Sequence, residues 1–146
     1  MGPILRSSSL PEGCARLSWA AFDVAVDAMA VMAQRLAPSA RAIFGVPRGG
    51  LPLAVGLSHR LGLPLLGSTD DLSGVIVVDD VVETGETLRW LAPRAALFLC
   101  WVSKSYKVPA HHIIRLPKSA WVIFPWETPE NAAADAADYL KRRGKT

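Results

Sequence analysis

Between Val75 and Leu88 the sequence reads Val-Ile-Val-Val-Asp-Asp-Val-Val-Glu-Thr-Gly-Glu-Thr-Leu. Four apolar residues run into the paired carboxylates Asp79 and Asp80. A short turn of Glu83, Thr84, Gly85, Glu86 and Thr87 follows, and an apolar pattern then resumes. The β-branched run reads as a buried parallel strand over Val75–Val78 that delivers two acids to its carboxyl end. In open α/β sheets ligands bind at that edge. Backbone N–H groups of a turn that opens a helix, helped by the hydroxyls of Thr84 and Thr87, can wrap a phosphate. Acids for hydroxyl groups beside a phosphate cradle suit a sugar phosphate. A glutamate at 86 is an awkward neighbour for a dianion, so its side chain is expected to point outward.

Three other readings of the acids compete with this one. They can simply cap a strand end in solvent or in salt bridges. A receiver domain also carries paired acids after a valine-rich strand, but near its start, whereas these fall past the middle of the chain. A haloacid-dehalogenase nucleophile needs Asp-x-Asp, and position 81 is Val. Elsewhere, Pro47-Arg48-Gly49-Gly50 would be an ordinary loop on its own. Its place after a buried strand and before a helix gives it more weight. Glycines let a backbone approach a ligand closely, and the arginine fork suits phosphate oxygens. Lys104 follows a strand and Trp121 sits in one; alone they are a solvated lysine and a core tryptophan. His59, His111 and His112 are too scattered for a metal site.

The elements that must position these residues follow from patterning. Ser18 can cap a helix from Trp19 to about Leu36, with Phe22, Val26, Met29, Ala33 and Leu36 on one stripe. Ala42–Val46 reads as a buried strand, Leu51–Leu61 as a helix closed by Gly62, and Leu63–Leu66 as a short strand. Gly67–Gly74 is a brief polar loop. Val75–Val78 and Ala95–Val102 are strong strands, Thr84–Leu91 a short helix, and Ile113–Leu116 and Ala120–Phe124 weaker strands. Thr128-Pro129-Glu130 opens a last helix to about Arg143. Residues 1–16, with Ser7-Ser8-Ser9 and Pro11, read as a loose leader. Strands alternating with helices predict an α/β fold with a mostly parallel twisted sheet, and no repeat or boundary divides residues 1–146 from a single domain.

Composition agrees with a packed, soluble domain. The chain has 146 residues, 51% of them hydrophobic, with a mean hydropathy of +0.25. No apolar run approaches the ~20 residues that span a bilayer, and no signal-peptide core is present. Two cysteines make a disulfide framework improbable: Cys100, in a strand, reads as a buried thiol, and a cytoplasmic setting is expected. The net charge of +3 is mild. Much of it lies in Lys141-Arg142-Arg143 and Lys145, which reads as cations in the last turn of a helix. With no interleaved aromatics, nucleic acid is not an expected partner. Exposed aromatic surface, including some of Trp19, Trp90, Trp101 and Trp126, argues for a homo-oligomer.

The Val75–Leu88 segment resembles the phosphoribosyl-pyrophosphate (PRPP) signature of the type I phosphoribosyltransferases: four apolar residues, two acids, two apolar residues and a Thr-Gly-x-Thr turn. The resemblance implies that Asp79 and Asp80 hold the ribose hydroxyls, partly through Mg2+, and that Thr84, Gly85, Glu86 and Thr87 bind the 5′-phosphate. It places Glu83 where 6-oxopurine members usually carry an Asp that acts as general acid/base on the purine N7. Arg48 and Gly49 fall on the pyrophosphate loop and would hold the diphosphate leaving group. Phe98–Lys104 and Trp121–Glu127 resemble the base-binding end of the xanthine-guanine branch. There Lys104 would donate to the purine O6, Trp121 would stack on the ring, and the Val122 carbonyl would face the 2-position. Glu127 lies where that branch has an acid after Pro-Trp. The likeness covers about Leu17 to Glu127 and implies the family fold, with a small C-terminal base-binding hood. The implied activity is transfer of the phosphoribosyl group of PRPP to guanine, xanthine or hypoxanthine. One departure stands out: the family's long mobile loop between the second and third core strands is here only Gly67–Gly74. That keeps a second reading open, a protein of this fold that binds PRPP or nucleotides as a sensor with weak or no turnover.

Overall fold

The computed structural model describes residues 4–5, 14–105, 110–128 and 130–131. In chain order its elements are β1 (Ile4–Leu5), β2 (Cys14–Leu17), α1 (Trp19–Leu36), β3 (Ala42–Gly45), α2 (Gly50–Leu61) and β4 (Val75–Val82). Then come α3 (Glu86–Leu91), a 3-10 turn (Ala92–Arg94), β5 (Leu97–Ser103), β6 (His111–Arg115) and β7 (Trp121–Ile123). They group into two compact units, residues 1–24 with 119–146, and residues 25–118.

The larger unit is built on a four-stranded parallel sheet in the order β3-β4-β5-β6. Its interior strands, β4 and β5, are apolar runs buried along Val75–Val78 and along the whole of β5. A strand covered on both faces must be apolar at every position, which is why neither alternates. On one face Ala42, Phe44, Val75, Val77, Phe98 and Cys100 pack with Leu72 and with Leu88 and Leu91 of α3. On the other face α2 lies against β3 and β4, its Leu53, Ala54 and Leu57 fully buried. Gly45 lets them meet: a Cβ there would stand 2.8 Å from the Ala54 Cβ. The helix ends at Gly62, whose φ of 66° is the left-handed cap a glycine adopts without strain.

α1 starts as its cap residue predicts. The Ser18 hydroxyl accepts the Ala21 N–H and its carbonyl accepts the Phe22 N–H, each at 3.0 Å. Along the expected stripe Val26, Met29 and Ala33 are buried, but Leu36 is exposed. In the smaller unit β2 pairs antiparallel with β1 and parallel with β7. Trp19, Phe22, Phe124 and Trp126 form an aromatic cluster there, with Phe124 and Trp126 stacked at 5.1 Å.

Several sequence expectations are corrected. Cys14–Leu17 is a strand, so the leader does not extend to residue 16. β4 runs on through Val82, because Val81 and Val82 keep pairing with Val102 and Ser103. Leu63–Leu66 contributes a single parallel bridge, Leu65 to Ile43. α3 begins at Glu86 rather than Thr84, after Gly85 at a φ of 80°. Trp101 is fully buried in the core and offers no surface. The last helix is described only at its start, where the Thr128 hydroxyl accepts the Asn131 N–H at 3.2 Å. Its continuation to Arg143, the basic cluster after it, and Ser7–Ser9 and Pro11 lie outside the described residues. Among the described residues no helix is long and apolar enough to cross a membrane.

Candidate active site

Because β4 continues past Val78, its acids sit within the strand, and period-two alternation sends them to opposite faces. Asp79 follows Val75 and Val77 toward the α3 side. Asp80 follows Ile76 and Val78 toward the start of α2. Each carboxylate folds back on the next residue: Asp79 Oδ1 accepts the Asp80 N–H and Asp80 Oδ1 accepts the Val81 N–H, both at 2.8 Å. Burial, then the adjacent Asp80 charge, pushes the Asp79 carboxyl up to about 8. Burial raises Asp80 as well, against the lowering effect of its hydrogen bonds. Cys100, opposite Asp79 in the ladder, is buried, and burial beside these two acids pushes its thiol up. A thiol so held is unreactive.

The Pro47–Gly50 turn joins β3 to α2 and is docked on β4. Val46 N–H donates to the Val78 carbonyl at 2.9 Å, and Gly50 N–H to the Val46 carbonyl at 2.8 Å. A Cβ at Gly49 would overlap the Asp80 carboxylate, and one at Gly50 the Val78 carbonyl. The glycines therefore buy the close approach that brings Arg48 beside the acids. Arg48 itself is exposed, and the Pro47–Arg48 peptide is cis.

After β4 the chain turns through Thr84–Thr87. Thr84 Oγ1 accepts the Glu86 N–H at 3.3 Å. Gly85 is buried, whereas Thr84, Glu86 and Thr87 are exposed, so Glu86 does face outward. Glu83, just beyond the strand, meets Lys104, just beyond β5. Lys104 Nζ stands 2.8 Å from Glu83 Oε1, with the lysine side chain 3% exposed and the glutamate 19%. The other carboxylate oxygen, Oε2, is buried without a hydrogen-bond partner among the described residues.

The setting of Lys104 involves residues the sequence reading missed. Its N–H donates to the Val82 carbonyl at 2.8 Å. The carbonyl of the following Ser105 accepts from Arg115 Nη1 at 3.1 Å and from the Ser103 hydroxyl at 3.4 Å. Only the pairing of Ser103 with Arg115 across β5 and β6 brings them together, and that register is not written in either segment. Trp121 and Val122 lie on β7 of the smaller unit, paired with Cys14 and Ala15. Glu127 is engaged locally, its Oε1 accepting the Phe124 N–H at 2.8 Å.

The short loop has a definite course. Leu65 runs parallel to β3, so the chain leaves it toward the carboxyl ends and must return to the amino end of β4. On the way Arg41, which precedes β3, donates from Nε to the Ser73 carbonyl at 2.6 Å and from Nη2 to the Asp71 carbonyl at 2.9 Å. Its N–H reaches the Gly74 carbonyl at 2.8 Å. Asp71 Oδ1 accepts the Ser73 N–H and hydroxyl; these bonds, with Arg41 adding its charge, hold the Asp71 carboxyl below the usual range. Arg94, three residues before β5, donates to the Thr69 carbonyl. Residues 69–74 are thus fastened at the amino ends of the strands, the edge opposite Arg48, Glu83 and Lys104.

No protein-family model matches the chain. A xanthine-guanine phosphoribosyltransferase of Gluconobacter oxydans is 29% identical over 117 residues, covering 60% of this chain and 69% of that protein. The crystal structure of a purine phosphoribosyltransferase from Pyrococcus horikoshii is 30% identical with a TM-score of 0.65, over 80% of this chain and 95% of that one. A Helicobacter pylori xanthine-guanine-hypoxanthine phosphoribosyltransferase, 20% identical, shares the fold with a TM-score of 0.65 over 84% of this chain and 99% of that one. The two parallel-strand acids, the glycine turn and the Lys104–Glu83 pair stand on that same architecture, and the chain belongs to the type I phosphoribosyltransferase family, close to its xanthine-guanine branch.

Proposed function

We propose that the protein is a purine phosphoribosyltransferase that transfers the 5-phosphoribosyl group of PRPP to a 6-oxopurine and releases pyrophosphate. The observation that carries this reading is the Lys104–Glu83 pair, a buried ammonium and a carboxylate 2.8 Å apart beyond the ends of neighbouring strands. A 6-oxopurine protonated on N7 presents the matching edge, an acceptor at O6 beside a donor at N7. Lys104 can donate to O6 while Glu83 takes the N7 proton as the new bond forms at N9. Adenine presents an amino donor in place of O6 and would leave the buried ammonium facing another donor. Sites built this way discriminate by on the order of ten-thousand-fold.

Family likeness supports the remaining roles. Arg48 and Gly49 hold the diphosphate, where the guanidinium stabilises charge that grows as the C1′–O bond breaks. Thr84, Gly85, Glu86 and Thr87 supply the turn that binds the 5′-phosphate, and Asp79 and Asp80 take the ribose hydroxyls. Trp121 stacks on the base and the Val122 carbonyl faces its 2-position. The acids also fit Mg2+. They are hard oxygen donors whose burial resists ionisation without a cation, and among the described residues no third His, Cys, Asp or Glu joins them to make a cage. Magnesium suits such a site, since it keeps waters and completes its sphere on substrate phosphates. Bound to Asp79 and Asp80, it would supply positive charge beside the diphosphate. Exposed Trp19 and Trp90 support a homo-oligomer, and a cytoplasmic setting with small-molecule partners alone completes the reading.

The course of residues 69–74 favours a second reading, a PRPP or nucleotide sensor without turnover. Mixing protein, magnesium and PRPP with each common base separates the two. Pyrophosphate release with guanine, xanthine or hypoxanthine, and none with adenine, is the expected result. Thermal shifts with PRPP but no pyrophosphate, even at high protein concentration, would establish the sensor instead.

A further inference from the structure

We propose a second activity, resting on the transferase reading: without a base, the protein hydrolyses PRPP to ribose 5-phosphate and pyrophosphate. Two observations carry it. First, the loop that would close over the site is fastened elsewhere. Arg41 binds Ser73 and Asp71, and Arg94 binds Thr69, all at the amino ends of the strands. The reacting carbon would lie at the carboxyl ends, among Arg48, Asp80 and Glu83, so this segment does not shield it. Exclusion of water is what keeps a reactive electrophilic centre from hydrolysis. Second, Glu83 is poised for a water molecule. Its Oε1 is held by Lys104 at 2.8 Å, which orients the carboxylate. Its Oε2 is buried with no hydrogen-bond partner among the described residues, and a buried acceptor of this kind is ordinarily satisfied by water.

In the step, a lone pair of the water oxygen forms the new bond to C1′ as the C1′–O bond to the diphosphate breaks. That bonding pair leaves with pyrophosphate, against Arg48. The water proton passes to Glu83 and then to solvent. No oxidant or further reactant is required. A bound 6-oxopurine occupies the same carboxylate, so it should suppress the hydrolysis while the transfer proceeds.

The test follows ribose 5-phosphate and pyrophosphate in protein with magnesium and PRPP, with and without guanine, using Asp80→Asn protein as the blank for spontaneous decay. Both products are expected without base, and ribose 5-phosphate should disappear at saturating guanine. Glu83→Gln should lower hydrolysis by roughly a hundredfold, the scale of a lost general base, while the thermal shift with PRPP is retained. Pyrophosphate that forms only when base is present overturns hydrolysis and leaves the transferase reading standing. Absence of pyrophosphate in both mixtures overturns the two together. Hydrolysis that persists in Glu83→Gln removes that residue as the base.

Discussion

Lys104 and Glu83 are joined as closely in stability as in chemistry. A buried ion pair broken on one side leaves a charge without compensation, at a cost of about 3 kcal/mol or more; the partial exposure of Glu83 argues for the low end. Lys104→Met should therefore lower the unfolding free energy by about 3 kcal/mol in urea and abolish use of 6-oxopurines. The double variant Lys104→Met/Glu83→Gln should recover most of the stability and none of the activity, which separates the pair's two roles. Full stability in the single variant would show that the pair is solvated and weak. Asp79 gives a pH dependence of opposite sign to an ordinary salt-bridged acid. Its carboxyl titrates near 3.8 when unfolded and at about 8 in the fold, so between those values the folded state holds a proton that the unfolded chain has lost. Its contribution is fully present below about pH 4, falls as the pH rises through this window, and is exhausted above about 8. Melting temperature without ligands should decline from pH 5 to 8, and Asp79→Asn should flatten the decline. An unchanged slope in that variant would assign the effect to another group.

At the scale of elements, what positions Lys104 is the junction of β5 and β6. The Ser105 carbonyl is held by Arg115 and Ser103, and the Lys104 N–H by the end of β4. If Lys104 binds the base as proposed, Arg115 would be a positioning residue that acts on it through this clamp. Arg115→Ala should raise KM for the base several-fold with little change in kcat or in KM for PRPP, and Arg115→Lys should restore part of the loss. Equal changes in both KM values would mean a general loosening of the sheet. This junction also marks where the sequence stops being legible. The segment Val75–Leu88 announced its acids at a strand and its turn before a helix, because residue type and spacing are local properties. The arginine beside Lys104 was invisible, because Ser103 meets Arg115 only through strand register. Val81 and Val82 lie beyond the strand that the sequence reads as ending at Val78, yet neighbouring β5 offers partners that keep them in the sheet. Cys14–Arg16 read as leader because so short a segment carries no strand signal of its own. It became a strand by pairing with β7, more than a hundred residues away. Gly67–Gly74 was legible in length, but its fastening by Arg41 and Arg94 was not, since each arginine lies in another connection.

For the molecule as a whole, the open question of cooperativity turns on size. The smaller unit is described as a sheet of two-, four- and three-residue strands, and sheets that small do not hold their order in water unaided. The larger unit has two central strands with long buried apolar runs, Val75–Val78 and Leu97–Val102, and a buried Trp101, the composition of an independent core. α1 begins in the first and continues without a break into the second, so fraying of one shortens a helix that the other packs. This continuity predicts one cooperative domain rather than two. Native-state hydrogen exchange of peptides spanning β2 and β7, and of peptides spanning β4 and β5, should give slowest amides that open with the same free energy, within about 1 kcal/mol. Cys100 reports the same event chemically: buried and raised in its titration, it should react with a thiol reagent only at the denaturant concentration where those amides exchange. If β2 and β7 exchange several kcal/mol more easily while Cys100 stays protected, the smaller unit orders separately from the larger one.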